Sequence, residues 1–236
     1  MPSLRSSLPT LLRCLILLSL LAADQAIAHA IGGRDAAFVA ATRGPAPGPF
    51  LYLGAKHMVT GYDHLLFLAG VVFFLRRFRD VLIYVSLFSL GHSSTLLSGA
   101  LFGFGLNSWL VDAVIGLSVA WKAFDNLGGF ETLVGRRPDP KLMVLLFGLI
   151  HGLGLATKLE ALKLHREGLV INLLSFNLGV EIGQIVALAI VLALIAGLRR
   201  TALFARTAVA LNWAIMTSGF VLIGTQLAGY TIAEGY

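Results

Sequence analysis

Six stretches of this chain are apolar almost throughout, with short polar or basic segments between them. They lie near residues 51–75, 81–102, 108–126, 142–158, 169–197 and 205–228. Most approach the roughly 20 residues that a helix needs to cross the hydrocarbon of a bilayer. The pattern therefore predicts an all-α fold, a polytopic membrane helix bundle of about six transmembrane helices over residues 50–230. The fourth stretch is short, and the first and fifth have room to begin as interfacial turns.

A further apolar run opens the chain and reads differently. Arg5 and Arg13 make a positive start, Leu15 to Ala23 a short apolar core, and Ala26-Ile27-Ala28 a small-x-small cleavage site. Residues 1–28 are expected to be a secretory signal peptide, with an uncleaved extra helix as the alternative. Cleavage makes His29 the first mature residue, where a free amine beside its own imidazole is a potential metal chelate. Cys14 is the only cysteine and would leave with the signal. A mature chain without thiols has no disulfides, no thiolate catalysis and no cysteine ligation of metal. Residues 29–49 form an extracytoplasmic leader whose Arg43-Gly44-Pro45-Ala46-Pro47-Gly48-Pro49 end is too rich in proline and glycine for regular structure.

Loop charge sets direction. Arg76, Arg77 and Arg79 close the first block, Arg136, Arg137 and Lys141 lie between the third and fourth, and Arg199, Arg200 and Arg206 between the fifth and sixth. These alternate loops should be cytoplasmic. The 103–107 loop has no charge and the 159–168 loop is mixed. Both mature termini are then extracytoplasmic, as the signal peptide also requires. Composition agrees: 57% of residues are hydrophobic, 13% charged, and the mean hydropathy is +0.85. Soluble domains carry about twice that charged fraction. The net charge of +6 sits in short loops rather than on one face, which argues against a nucleic-acid partner and for membrane lipid. The 26 glycines suit close helix packing in lipid.

Against that background the ionisable residues stand out, because histidine and carboxylate in hydrocarbon are expensive and normally face a bundle interior or a pathway. Four of the six histidines, His57, His64, His92 and His151, fall in apolar blocks. His57 and His64 are two helical turns apart, about 10 Å along a regular axis. One ion reaches both only through a distortion at Gly61; otherwise they form two successive sites. Asp63 beside them can support a histidine of a neighbouring helix. His92 sits in Gly91-His92-Ser93-Ser94-Thr95, where the hydroxyls can orient the imidazole. His151 sits in His151-Gly152-Leu153-Gly154, open to close approach by another helix. Asn177, Glu181 and Gln184 share one helical face near the middle of the fifth block. Polar glue between helices, or a neutral hydrogen-bonded Glu181, is the plainer reading of each residue taken singly. Asp112 lies near the outer mouth and is placed to attract cations. Lys122 and Asp125, three residues apart, suit a structural pair at the cytoplasmic interface. His165 belongs to a loop. Phe88-Ser89-Leu90-Gly91-His92-Ser93 echoes Phe147-Gly148-Leu149-Ile150-His151-Gly152, a match too thin to argue for a repeat.

His57-x5-Asp63-His64 resembles the hallmark of the HupE/UreJ family, membrane proteins accessory to hydrogenase and urease. The likeness extends to Gly61-Tyr62-Asp63-His64-Leu65-Leu66-Phe67-Leu68, to His92-Ser93-Ser94-Thr95-Leu96, to the stretch from Val111-Asp112-Ala113 to Asp125-Asn126, and to Phe176-Asn177-Leu178-Gly179-Val180-Glu181-Ile182-Gly183-Gln184. It covers roughly residues 50–228 and resembles the broader branch of that family. Met58 stands where nickel-associated members usually have proline, and in place of their second histidine-rich motif, of the His-Gly-x-x-His-Gly kind, this chain has only His151-Gly152-Leu153-Gly154. The resemblance thus implies the family more firmly than the metal.

The expectation is an integral membrane permease of the bacterial inner membrane for a divalent transition metal ion: nickel, cobalt or zinc. Imidazole and carboxylate without thiolate suit such ions better than copper(I). Its site would gather His57, Asp63, His64, His92, His151 and Glu181, with Asn177, Gln184, Ser93 and Asp112 in support. No nucleotide-binding motif occurs, so transport would follow a gradient or need another subunit. Metalloenzyme-maturation proteins or further copies of the chain are the expected protein partners. The alternative is an intramembrane metal-dependent hydrolase, with zinc on His92, His151 and His64 and Glu181 or Asp63 as base. Neither H-E-x-x-H nor G-x-S-x-G occurs to support it.

Overall fold

A computed structural model describes residues 33–162, 165–201 and 204–235. These residues form nine helices, with no strand among them: α1 (Gly33–Ala41), α2 (Pro47–Thr60), α3 (Tyr62–Val72), α4 (Phe78–Phe102), α5 (Ser108–Asn126), α6 (Gly129–Val134), α7 (Pro140–Ala161), α8 (Leu169–Arg199) and α9 (Phe204–Glu234). The expected signal peptide, Cys14 and His29 lie outside the described residues. Four helices are long and apolar enough to cross a membrane: α4, α7, α8 and the Thr207–Glu234 part of α9, with mean hydropathies of 1.4, 1.8, 2.4 and 1.5.

The other two apolar blocks depart from plain spans. The third is α5, a 19-residue helix that carries Asp112, Lys122 and Asp125. The first is broken at Gly61, where φ −74° and ψ 100° are extended rather than helical. Neither piece spans alone: the 11 residues of α3 rise only about 16 Å. The leader also differs from expectation, since α1 occupies part of it. Tertiary contacts hold it there: Val39 is buried, and Lys56 on α2 pairs with Asp35 at 2.7 Å. The prolines of the leader start α2 instead of breaking it, with Pro47 in the first turn, where a helix needs no N–H.

Glycine decides how the helices meet. A methyl group on Gly54 would collide with the Phe176 carbonyl, and one on Gly179 with the Leu51 carbonyl, so α2 and α8 pack backbone to backbone in parallel. In the same way Gly148 and Gly152 of α7 abut the Phe88 and His92 carbonyls of α4, again in parallel. The echo between those two segments thus falls on a helix pair in register. The third pair, α5 with α9, is antiparallel, and Gly219 leaves no room for a methyl group against the Ala120 amide. Close approach of this kind supplies the dispersion that holds helices together in lipid, where burial alone gives little.

The short α3 lies among the three pairs. Its Phe67 meets Phe88 of α4 at 5.4 Å and Phe147 of α7 at 5.7 Å between ring centroids. The carbonyls at its far end, which a helix leaves without partners, are taken up from elsewhere. Arg199 at the end of α8 donates to the carbonyls of Phe73 and Leu75, and Asn126 of α5 donates to Gly70 O at 2.8 Å. A half-length helix is thereby fixed at one end by polar clamps, leaving its other end, at Gly61, to present side chains to the centre.

Candidate metal centre

The break at Gly61 brings the last turn of α2 against the first turn of α3. Gly61 N–H still bonds His57 O at 2.9 Å, and Gly61 O accepts from Leu65 N–H at 2.9 Å, so both helix ends remain satisfied while the chain bends. A Cβ at Gly61 would stand 2.8 Å from His64 Nδ1 and 3.2 Å from Asp63 Oδ1. A larger residue there would press on both side chains where they fold back over the bend. The result is that His57 and His64, two turns apart in sequence, have ring centroids 5.1 Å apart.

His92 of α4 completes the group. One ring nitrogen from each of His57, His64 and His92 lies within 4.8 Å of the other two, a spacing that a single ion can draw together. His92 is fully buried, His64 is 3% exposed and His57 is partly buried. Phe88 and Phe176 wall the group, at 6.3 Å from His64 and 6.0 Å from His57. In a site this dry, every polar atom is expected to have a partner. His57 Nε2, His64 Nε2, His92 Nδ1 and His92 Nε2 have none. Three imidazoles this close, each with a ring nitrogen that lacks a hydrogen-bond partner, could hold a metal ion.

Asp63 orients the group. Its Oδ1 lies 2.7 Å from His64 Nδ1 and also accepts the His64 backbone N–H at 2.7 Å. A carboxylate accepts only, so Nδ1 carries the hydrogen and His64 Nε2 offers its lone pair to the centre. Asp63 thus supports the histidine next to it in sequence.

The remaining expected site residues are distributed around this core. His151 of α7 packs on His64 at 4.9 Å between centroids and is fully buried, but lies outside the group of three. Ser118 donates its hydroxyl to Ile115 O, so at 2.9 Å it accepts from His151 Nε2. Glu181 does not join the histidines: it is exposed on the wall of a groove between α4 and α8, with Asn177, Ser93 and Ser94. Gln184 is buried and accepts from Ser89 Oγ at 2.6 Å. Asp112 pairs with Lys158 at 2.9 Å, joining α5 to α7.

Several residues of consequence gave no signal in sequence. Ser118 is one hydroxyl in an apolar helix, and only the fold puts it on His151. Lys158 lay beside a mixed loop, with nothing to mark it as the partner of Asp112. Arg199 counted only as a loop charge, yet it caps α3. Asn212 is buried in α9 and accepts from Asn126 at 2.9 Å.

The family model described as HupE / UreJ protein matches residues 33–234. This chain belongs to the HupE/UreJ family. No curated protein and no solved structure gives a significant match. The HupE/UreJ assignment covers every described helix, and it covers all the residues of the histidine centre.

Proposed function

We propose that this HupE/UreJ protein is an integral membrane permease for a divalent transition metal ion of the nickel or cobalt type, and that His57, His64 and His92 bind the ion in passage. The observation that carries this reading is the set of imidazole nitrogens in a dry pocket with no hydrogen-bond partner. Neutral imidazole is a strong ligand for nickel, cobalt and zinc, and no cysteine lies among the described residues to bias the site toward copper(I).

The chemistry divides among the residues. His57, partly buried at the end of α2, meets the ion as it sheds water. His64 and His92 add direct bonds from inside. Asp63 holds His64 in the right tautomer and offsets part of the ion's charge through the ring. One nearby carboxylate with three neutral donors keeps binding weak enough for the ion to leave again, as conduction requires. His151, held by Ser118, backs His64 from the other side.

In this reading α2 and α3 together make one interrupted span and α5 another, giving six passages with α4, α7, α8 and α9. The Arg76–Arg79, Arg136–Lys141 and Arg199–Arg206 loops then face the cytoplasm of a bacterial inner membrane, with both mature termini periplasmic. Interrupted helices that place their broken ends at a substrate site recur among membrane transporters. Metalloenzyme-maturation proteins are the natural receivers of the ion. The hydrolase alternative needs His151 on the metal and Glu181 or Asp63 free as base. His151 is held by Ser118, Glu181 faces the groove, and Asp63 is engaged by His64, which favours transport.

The test is uptake of Ni2+ and Co2+ into sealed liposomes carrying the purified protein. Wild type is expected to load the vesicles and His64→Ala is expected to fail while inserting normally. Equal uptake by both would remove the proposal.

A further inference from the structure

Glu181 was expected among the ligands and lies elsewhere, which calls for its own account. The parallel pairs α2/α8 and α4/α7 touch little along the α4–α8 seam, and a groove runs between them. Its walls carry Ser93 and Ser94 from α4 and Asn177 and Glu181 from α8, set among leucines. Asn177 is only 8% exposed and its Oδ1 accepts no hydrogen bond. A buried carbonyl oxygen without a donor, beside a carboxylate in an apolar helix wall, is expensive on both counts. The groove is bolted at one end by the Ser89–Gln184 hydrogen bond of 2.6 Å. Toward the other end it reaches Leu97 and Leu174, each five residues from the 103–107 and 159–168 loop ends of their helices. Ser93 on its wall directly follows His92 in the chain.

We propose that this groove is a second binding station, where a hydrated divalent cation is held by Glu181 and the Asn177 carbonyl before it reaches the imidazoles. The proposal rests on the reading of the histidine group as a transport site. Its donors are all oxygen: carboxylate, amide carbonyl and hydroxyl. Oxygen donors suit an ion that keeps several of its waters, whereas the imidazoles need direct bonds to the metal. Splitting capture from dehydration lets each step be mild. The carboxylate draws the ion in with its water shell, and the histidines replace water only once the ion is close. The cation also supplies what Asn177 Oδ1 lacks, either directly or through one of its waters.

Co2+ distinguishes the two stations in the full-length protein in detergent. Low-coordinate cobalt bound to imidazoles absorbs visible light strongly, while six-coordinate cobalt among oxygens and water absorbs weakly. Titration of the wild type is expected to show a tight phase with intense bands and a weaker phase that adds bound metal, measured by equilibrium dialysis, with little colour. Glu181→Gln, which keeps the shape, should lose the weak phase and keep the intense bands. Its KM for liposome uptake should rise about tenfold with the maximal rate within about twofold. Asn177→Leu should shift KM in the same direction by a smaller factor. If Glu181→Gln retains the second equivalent of Co2+ and the wild-type KM, the groove binds no cation and the proposal is overturned. If the wild type shows no intense bands at all, the histidine reading fails, and the groove's role as antechamber fails with it.

Discussion

At the end of the bundle that carries the basic loops, Lys122, Asp125, Asn126, Arg137 and Asn212 bond one another at 2.6–2.9 Å. Arg137 grips Asp125 through two nitrogens, and Asn126 reaches on to Gly70 O of α3. At the bend between α2 and α3, by contrast, three imidazoles converge and leave four nitrogens without partners. Both regions place polar groups inside an apolar bundle. In the first the polar groups complete one another, which is how such residues hold helices in register. In the second, ring nitrogens stay without partners among the described residues. Satisfied and unsatisfied polarity separate framework from site more sharply than residue type does, because aspartate occurs in both.

The contrast can be broken by substitution, and the largest effect should come from the centre. His64→Ala is expected to reduce uptake and tight Co2+ binding at least about a hundredfold, since it removes one of three direct ligands. Thermal stability in detergent should fall only modestly, because an unpartnered buried nitrogen is removed while Asp63 Oδ1 loses its ring partner. A loss of stability that prevents folding would place His64 with the framework. Asp125→Ala should do the reverse. It strands the Lys122 ammonium and loses the bidentate Arg137 contact, for a loss of about 2 kcal/mol in stability. That is below the usual value for a broken buried pair because Arg137 is 43% exposed. Co2+ affinity of the folded fraction should stay unchanged, which a binding titration beside a denaturation curve will check.

Two smaller effects sharpen the boundary. Asp63→Asn keeps the shape but weakens the hold on His64 Nδ1, and metal affinity is expected to fall about tenfold or somewhat more, read by equilibrium dialysis. Ser118→Ala removes the acceptor of His151 Nε2 at the edge of the centre. Uptake should change less than about threefold, since His151 is outside the group of three, and stability should fall by about 1 kcal/mol. A collapse of uptake in Ser118→Ala would bring His151 into the set of ligands.

Much of this protein was legible in its residues. Apolar runs of the length of α4, α7, α8 and α9 admit little but helices in lipid, because nothing else satisfies the backbone there. His57, Asp63, His64 and His92 stood out by being costly where they are. Gly61 was identifiable as the one place where a distortion would unite His57 with His64, though periodicity alone left two successive sites equally open. Glu181 was misleading for a physical reason. Its position along α8 matched the depth of the histidines, but depth along an axis says nothing of which way a face turns. The gap between α4 and α8, not the residue's own neighbours, put it in a separate groove.

The sequence by itself determined the helical content, the apolar stretches long enough to cross a membrane and the residue types of the candidate site, since each follows from composition, length or local spacing. Only the tertiary structure decided which histidines converge, that α3 is a half-length helix clamped by Arg199 and Asn126, and that Ser118, Gln184 and Lys158 have the partners they do. Those contacts join residues as much as 127 positions apart. They depend on glycines that let whole backbones touch, a property of two surfaces together that neither segment carries alone.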